Sequence, residues 1–383
     1  MTDAAHDIDA LLARTDAFVR DRVAPGAAQR ARTRGTDREA IVAAAAAGLT
    51  AIETPREHGG LGLPFGAKVA VARRIAAADF GVAFSVVNTQ NVAARLARHA
   101  AAEVAARWVP GLLAGRWVGC SALTEPHAGS DFAAIGTLAR PVPGGWRIDG
   151  AKAWITHGAD ADLAIAYVQT DPEARGRGVA GFVIDLNRAG VSRGGAYAID
   201  GPQAIGAGGF ELHDYLAGED ELLFAPGAGF KAALGSVNGA RTYVAAMCCG
   251  MVGEALRVAR TYGARRHTFG VPLAAHQGWR WRIAEAATEL AACDALVEVA
   301  VRAIEAGADA VRLAAQAKLA ATRMAERQLP RLAQAMGAEG LRESYPFGRH
   351  LLAARVASFV DGSTEMLLER IAAALPPPDG ISP

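Results

Sequence analysis

Apolar residues recur at helical spacing in the first third of the chain and again in the last third. In the first third, this spacing predicts helices at residues 8–23, 37–49, 65–100 and 103–113. In the last third, it predicts helices at residues 230–262, 276–306, 308–336, 345–359 and 362–374. Pro25 is expected to end the first helix and Asp37 to cap the second, because proline lacks a donor and aspartate accepts from free N–H groups. Pro376-Pro377-Pro378 is expected to end the last helix.

The middle third of the chain consists of short apolar or alternating runs that Gly, Pro and Asp separate. Such runs predict strands at residues 118–123, 146–148, 151–156, 163–169, 181–186 and 210–212. Asp149-Gly150 has the chemistry of a two-residue hairpin turn between the second and third strands. The predicted fold is multidomain α+β, with an all-helical N-terminal domain (residues 1–117), a central small β-barrel or sandwich (118–226) and a C-terminal four-helix bundle (227–383).

Composition and charge argue against several classes of function. Lys and Arg (40) almost balance Asp and Glu (39), and no basic stripe is present, so a nucleic-acid partner is not expected. The four cysteines lack metal-ligand spacing, which predicts no metal site and favours a reducing, cytoplasmic setting. Because no apolar run reaches the roughly 18 residues that span a bilayer, and the acidic N-terminus lacks a signal-peptide pattern, no membrane association is expected.

Two neighbouring segments combine the chemistry that suits a flat, redox-active ring. The first predicted strand ends at Leu123 and Thr124 and leads into a polar turn with Ser130, and a later strand carries Trp154 and Thr156. Their hydroxyls, backbone N–H groups and indole face suit a flavin, unless the tryptophan only fills the core. LTEPHAGSD resembles the LTEP-x-AGSD motif of the acyl-CoA dehydrogenase family, and AKAWITHG resembles that family's K-x-WIT-N-G motif. The resemblance implies FAD, bound in part by these five residues.

Two later segments resemble the parts of this family that bind the adenosine diphosphate end of a neighbouring subunit's FAD. ARRHTFGVPLAAHQ is similar to R-x-x-FG-x-x-L-x-x-x-Q, and QAMGAEG is similar to Q-x-x-GG-x-G, with alanine at a usual glycine. The resemblance carries FAD contacts over to Arg266, Thr268, Phe269, Gln277, Gln334, Gly337 and Ala338. It also implies a homo-oligomer, either a dimer or a tetramer. A basic helix end and a glycine turn between helices would alternatively explain these residues.

FVDGSTEM resembles the family's Y-E-G-T-S-E-I motif, in which the glutamate before the glycine is the catalytic base. Asp361 stands at that position and is one methylene shorter, which sets its carboxylate about 1.5 Å further back. Ser363 and Glu365 match positions that contact the flavin. Arg241 follows Ala240, where some family members place the base, and its guanidinium is expected to pair with the Asp361 carboxylate. The alternative for Asp361 is a helix N-cap.

The resemblance implies FAD-dependent α,β-dehydrogenation of an acyl thioester to the trans-2-enoyl thioester. In this scheme Asp361 removes the α-proton, the β-hydride moves to flavin N5, and Arg241 sets the charge around the base. The acyl carrier stays open between CoA and acyl carrier protein, and the electron acceptor between an electron-transfer flavoprotein and oxygen. The alternatives are a flavin-dependent monooxygenase or oxidase of the same fold and a catalytically silent FAD-binding paralogue.

Overall fold

The computed structural model of the protein describes residues 2–375, with side chains from His6 onward. The chain forms two compact units, Met1–Ser236 and Val237–Pro383. The first unit begins with helices α1 (Thr2–Phe18), α2 (Ala24–Arg30), α3 (Arg38–Ala46), α4 (Phe65–Ala78), α5 (Phe80–His99) and α6 (Ala102–Leu113). The prolines at 376–378 lie outside the described residues, and the domain boundaries at 117 and 226 stay a prediction.

Pro25 does not end the first helical segment, contrary to the prediction. A wider π-helical turn, Val19–Val23, joins α1 to α2, and Pro25 lies in the first turn of α2. Proline is tolerated there because the first N–H groups of a helix have no partner within it. Asp37 caps α3 as predicted, since its carboxylate accepts from Ala40 N at 2.9 Å.

The helix predicted at residues 65–100 is divided at Asp79. The backbone of Asp79 is extended (φ −155°, ψ 109°), and its carboxylate caps α5 by accepting from Val82 N at 3.2 Å. Arg30 Nε donates to the same carboxylate at 2.7 Å, which fixes the break from outside the helix. Gly81 lies inside α5, where a Cβ would approach Pro202 Cβ to 3.2 Å.

One sheet forms the middle of the chain: β1 (Gly119–Ala122), β2 (Leu138–Val142), β3 (Gly145–Ile155), β4 (Leu163–Gln169), β5 (Val179–Asp185), β6 (Val191–Arg193), β7 (Gly208–Gly218) and β8 (Leu222–Phe224). Its order is β6-β7-β3-β2-β4-β5-β8, and β1 pairs with β4 in parallel. Every residue of β4 and β5 is buried. Leu96 and Leu112 of α5 and α6 share a core cluster with Ile165 of β4, so these helices cover one face of the sheet.

Asp149-Gly150 is not a hairpin turn, contrary to the prediction. Both residues lie inside β3, which pairs with β2 on one side and with β7 on the other. The register with β7 shifts between Ile148 and Gly150, so the site is an irregularity within a continuous strand. Gly150 has φ +147°, and a Cβ there would lie 2.5 Å from Thr137 Cα, which explains the glycine. The turn before β3 contains Gly144 instead.

The last third of the chain is helical, which confirms the predicted helix–sheet–helix order. Its elements are α7 (Ala228–Arg265), the short antiparallel pair β9 (His267–Thr268) and β10 (Val271–Pro272), α8 (Gln277–Glu305), α9 (Val311–Gln334), α10 (Phe347–Phe359) and α11 (Thr364–Ala373). The helix α7 is continuous although it contains Gly235, Gly239 and Gly250. Glycine lowers helix stability by only about 1 kcal/mol per residue, which the packing of so long a helix offsets.

Among the described residues, one helix, α7, is long and apolar enough to cross a membrane by length and composition. The sequence expectation that no stretch meets this requirement is therefore wrong. Its alanines and cysteines raise the mean hydropathy without forming a continuous run of large apolar side chains. Within its most apolar stretch of 18 residues, 78% is buried in the protein, as in the core helix of a helical domain.

Candidate active site

The polar turn of the first flavin motif begins where β1 ends, in the first unit. Glu125 N donates to Ala128 O at 3.0 Å, and Ala128 N donates to Glu125 O at 3.2 Å. This closed turn leaves Ser130 exposed and Leu123 and Thr124 partly exposed. Side-chain hydroxyls and backbone groups of the loop are therefore accessible to a ligand.

A backbone hydrogen bond joins the two flavin motifs, because Ala153 N donates to Thr124 O at 3.1 Å. The end of β3 therefore lies beside the end of β1. Trp154 has a left-handed backbone (φ +58°), which non-glycine residues rarely adopt, and 65% of it is exposed. Its ring centroid lies 4.8 Å from that of Tyr197. Thr156 follows β3 and is partly exposed. The end of β3, with Trp154 and Thr156, and the loop at Thr124 therefore form one cluster.

A buried ion pair supports this cluster. Lys152 Nζ lies 2.7 Å from Glu125 Oε1 and donates to the carbonyls of Leu123 (3.2 Å) and Tyr167 (2.6 Å). Gly136 N also donates to the Glu125 carboxylate, at 2.6 Å. Burial lowers the pKa of Lys152 to about 8. Burial is the largest influence on the pKa of Glu125 and would raise it, but the Lys152 charge and the hydrogen bonds from Lys152, Thr137 and Gly136 together lower that pKa.

In the second unit, Asp361 lies in the short connection between α10 and α11. Its backbone is left-handed, with φ +55°. Asp361 is not the N-cap of α11, contrary to the alternative considered above. Ser363 is the cap, and its hydroxyl accepts from Met366 N at 3.5 Å. Glu365 lies in the first turn of α11 and is exposed.

Arg241, on α7, is buried (8% exposed) and contacts the Asp361 turn. Its Nε donates to the main-chain carbonyl of Asp361 at 3.0 Å, and Nη1 lies 3.4 Å from Asn238 Oδ1. The expected pairing with Asp361 therefore includes a bond to the backbone. Burial lowers the pKa of Arg241, and the Asp361 charge opposes this shift. Ala240, at the alternative base position, carries no carboxylate.

Lys318, on α9, is fully buried and donates through Nζ to the carbonyls of Val360 and Gly362. It thus contacts the backbone on both sides of Asp361. Burial lowers the pKa of Lys318 to about 8, and the Asp361 charge opposes that shift. The lysine therefore carries its proton at neutral pH.

The first predicted adenosine-binding segment forms a small hairpin rather than a helix end. α7 ends at Arg265, Arg266 is exposed, and Thr268 Oγ1 lies 3.1 Å from His276 Nε2. Phe269 occupies the turn with φ +51° and is 97% exposed. Gln277, also exposed, is the first residue of α8.

The second predicted adenosine-binding segment lies at the end of α9. Gln334 is the last residue of the helix, and Gly337 has φ +63°. Gln334, Gly337 and Ala338 are all exposed. Trp279 Nε1 donates to Ala335 O at 3.0 Å. This bond ties the start of α8, and with it Gln277, to the Gln334 segment.

Comparison with known proteins decides the family. Models of the acyl-CoA dehydrogenase N-terminal, middle and C-terminal domains match residues 6–116, 120–215 and 227–375. The short-chain specific acyl-CoA dehydrogenase of Bos taurus mitochondria is 30% identical over 321 residues, which cover 83% of this chain and 78% of that protein. The chain belongs to the acyl-CoA dehydrogenase family.

Solved structures agree with this acyl-CoA dehydrogenase fold. Butyryl-CoA dehydrogenase from Megasphaera elsdenii has a TM-score of 0.91 and 26% identity, with 98% of each chain covered. A chain from the structural study of the electron transferring flavoprotein of Acidaminococcus fermentans has a TM-score of 0.91 and 25% identity, again with 98% of each chain covered. This acyl-CoA dehydrogenase is thus a flavin oxidoreductase.

The residues present fit FAD, which membership in the acyl-CoA dehydrogenase family also supports. In the first unit, an exposed indole stands beside partly exposed threonine hydroxyls, a donor set suited to a flat ring with polar edges. In the second unit, the exposed Arg266 guanidinium suits a pyrophosphate.

The sequence motifs did not identify Lys152, Lys318 or Glu125 as residues that support the site. A signal for Lys318 was present, because it lies on the face of α9 that is otherwise Ala314, Ala315, Ala321 and Ala325. A lysine is almost never fully buried unless its ammonium has partners. Its partners, however, are backbone carbonyls more than 40 residues away in the chain, and no local pattern identifies those.

Proposed function

We propose that this acyl-CoA dehydrogenase oxidises an acyl thioester between Cα and Cβ, and that Asp361 is the base that removes the α-proton. The observation that carries the proposal is the turn at Asp361, which stands at the family's base position. Two buried cations, Arg241 and Lys318, donate hydrogen bonds to the main-chain carbonyls of this turn. A non-glycine residue that its surroundings hold in a left-handed conformation is typical of a functional site.

The reaction breaks one Cα–H bond and one Cβ–H bond and leaves a trans-2-enoyl thioester. The Asp361 carboxylate takes the α-hydrogen as a proton, and the β-hydrogen leaves with both electrons of its bond. FAD, when bound, supplies the acceptor for that hydride. The positive charges of Arg241 and Lys318 favour the ionised carboxylate, which is the form that accepts a proton.

Asp361 requires a closer approach of the substrate than a glutamate would. The side chain is shorter by one methylene, about 1.5 Å of reach. For the same proton transfer, the substrate Cα must therefore lie nearer to the turn by a similar distance.

The proposed carrier is CoA and the proposed electron acceptor is an electron transferring flavoprotein, in line with the relatives described above. We also propose a homo-oligomer, a dimer or a tetramer, in which the segments around Phe269 and Gln334 contact the FAD of a neighbouring subunit. Exposure supports this, since Phe269 is 97% exposed and Leu341, just after the second segment, is 83% exposed.

The test is an anaerobic visible spectrum of the FAD-loaded protein, titrated with short, branched and long acyl-CoA thioesters. Bleaching of the flavin band by one of them is expected, and it would also assign the chain-length class. If no acyl-CoA bleaches the flavin, acyl-carrier-protein thioesters are tried next. If those also fail, oxygen-dependent oxidation by externally reduced flavin becomes the leading function.

Asp361→Asn tests the base separately. It removes the proton acceptor with little change in shape, so the rate of flavin reduction should fall about 10²–10⁴-fold. Asp309→Asn, an exposed aspartate in the same unit, is the matched control and should retain the rate. Reduction of Asp361→Asn at the wild-type rate would refute the role of Asp361 and leave the dehydrogenase assignment standing.

A further inference from the structure

The backbone around Asp361 presents three consecutive carbonyls to buried cations. Lys318 Nζ binds the carbonyls of Val360 and Gly362, and Arg241 Nε binds the carbonyl of Asp361 itself at 3.0 Å. The two cations come from different helices, α9 and α7. The turn is therefore fixed from two directions by charged donors, whose hydrogen bonds are stronger than those of neutral donors.

Lys318 is an unfavourable residue for its position unless the turn requires it. Its side chain is fully buried on a helix face made mostly of alanine. Removing an ammonium from water is unfavourable, and an apolar side chain of similar size would not incur that cost. The compensation consists of the two carbonyls that flank Asp361.

The backbone conformation of Asp361 explains why the two hydrogen bonds of Lys318 are needed. Its φ of +55° is unfavourable for a residue with a Cβ. Such a conformation persists only where neighbouring contacts determine it. Gly362, next in the chain, has φ +105°, so two successive residues depart from ordinary backbone geometry at this point.

We propose that Lys318 is a positioning residue for dehydrogenation, which fixes the backbone from Val360 to Gly362 so that the Asp361 carboxylate stands where the substrate α-proton is removed. This inference rests on the function proposed above. Lys318 does not act on the substrate itself, because its side chain is fully buried and its ammonium is bound to the two carbonyls. Its effect on the reaction passes through Asp361.

The test compares Lys318→Met with Thr322→Val. Methionine keeps the length of the side chain and removes the donors. Thr322 is buried one turn further along α9, and its hydroxyl donates only within that helix, to Lys318 O at 2.9 Å and Leu319 O at 3.3 Å. Each FAD-loaded variant is mixed anaerobically with the thioester that bleaches the wild-type flavin. The limiting rate of reduction and the half-saturating concentration are measured separately.

For Lys318→Met we expect the limiting rate to fall about 10–100-fold, because a misplacement of about 1 Å costs up to 10²-fold. The half-saturating concentration should change less than about threefold, since the thioester itself does not contact Lys318. Thr322→Val should match the wild type in both quantities. Hydrogen–deuterium exchange of the peptide that covers residues 359–364 should be faster in Lys318→Met alone.

A wild-type limiting rate in Lys318→Met would overturn the proposal, and so would a change confined to the half-saturating concentration. If Lys318→Met does not retain FAD, the same measurement is made on Lys318→Gln, which keeps two donors without the charge and should lie between Met and the wild type. Failure of both variants to fold would also overturn it, in favour of a lysine that serves only the fold. Failure of the proposed function would be seen earlier, in a wild-type flavin that no thioester reduces.

Discussion

A buried lysine holds each of the two loops that carry the candidate chemistry, yet the acceptors of the two lysines differ. Lys152 lies 2.7 Å from the Glu125 carboxylate, beside the flavin loop of the first unit. Lys318, in the second unit, donates to two main-chain carbonyls next to Asp361. Burial lowers the pKa of both lysines to about 8. The two ammonium groups are thus buried to a similar extent, but a carboxylate compensates the charge of Lys152 and main-chain carbonyls compensate that of Lys318.

This difference in acceptors indicates that Lys152 has a structural role and that Lys318 has a functional one. Glu125 is 2% exposed, and its oxygens are occupied by Lys152 and backbone N–H groups, so the pair serves to hold the loop. At the other loop, the carboxylate whose charge acts on Lys318 is the proposed base. The charge of Lys318 therefore remains available to act on Asp361, while its hydrogen bonds fix the backbone.

The largest effect is expected from Lys152→Met, which leaves the Glu125 carboxylate buried without its cation. Breaking a buried pair on one side typically costs 3–5 kcal/mol, so the free energy of unfolding should fall by about that amount. The flavin-to-protein ratio should fall as well, because the loop that begins at Leu123 loses its hydrogen bond to Lys152. Chemical denaturation and the flavin absorbance of the purified protein measure the two effects.

The control for Lys152→Met is the double variant Lys152→Met with Glu125→Gln. Glutamine is neutral and still accepts from Gly136 N, so the double variant should be more stable than Lys152→Met alone. Equal destabilisation of the two proteins would show that lost packing, and not the unpaired carboxylate, causes the effect.

The next effect is a difference in pH dependence between the wild type and Lys318→Met. The lysine loses its proton near pH 8 in the folded protein, compared with 10.5 for an ordinary lysine. Between these values the unfolded chain binds more protons, so stability contributed by this group rises with pH; below pH 8 both states are protonated and the contribution is constant. The free energy of unfolding of the wild type, relative to that of Lys318→Met, should therefore rise by up to about 3 kcal/mol from pH 8 to 10. Urea unfolding of both proteins measures it, and parallel pH profiles would contradict the buried charge.

Arg241→Met removes the other cation from the Asp361 turn. We expect a loss of about 2 kcal/mol of unfolding free energy, because hydrogen bonds to charged groups contribute about 1.5–3 kcal/mol. The limiting rate of flavin reduction should fall as well, since both the carbonyl contact and a charge near Asp361 are lost. Asn238→Ala, which removes only the 3.4 Å contact of Arg241, is the control and should be nearly silent. An unchanged rate in Arg241→Met would leave Lys318 as the cation that matters.

The sequence predicted the order of the helices and strands and the loops of the site. It predicted less well where a helix breaks or a strand continues. Helical periodicity identified α7 and α9, and the Asp37 cap followed from local chemistry alone. The errors lie where a distant residue decides the local conformation. Arg30 fixes the break at Asp79, and Thr137 requires the glycine inside β3. No pattern of neighbours in the chain contains such contacts.

The candidate site divides in the same way. Motifs identified Thr124 and Asp361 on loops and Trp154 near the end of β3, because residues of one motif are neighbours in the sequence and therefore lie close together in the fold. The lysines that hold those loops were not predicted, since Lys318 lies 42 residues from Val360 and Lys152 lies 29 residues from Leu123. A charged residue on an apolar helix face is nevertheless a usable signal, because burying it requires partners.

The smallest expected effect separates the cap of α11 from the proposed base. Ser363→Ala removes the hydroxyl that accepts from Met366 N, and loss of an N-cap typically costs about 1 kcal/mol. Because this bond is long, at 3.5 Å, the loss should lie at the lower end of that range. Asp361→Ala leaves the cap in place and should lower the rate of flavin reduction far more than Ser363→Ala does. If thermal denaturation instead showed that the two variants destabilise the protein equally while both reduce flavin at similar rates, Asp361 would belong to the helix cap and the contrast between the two loops would disappear.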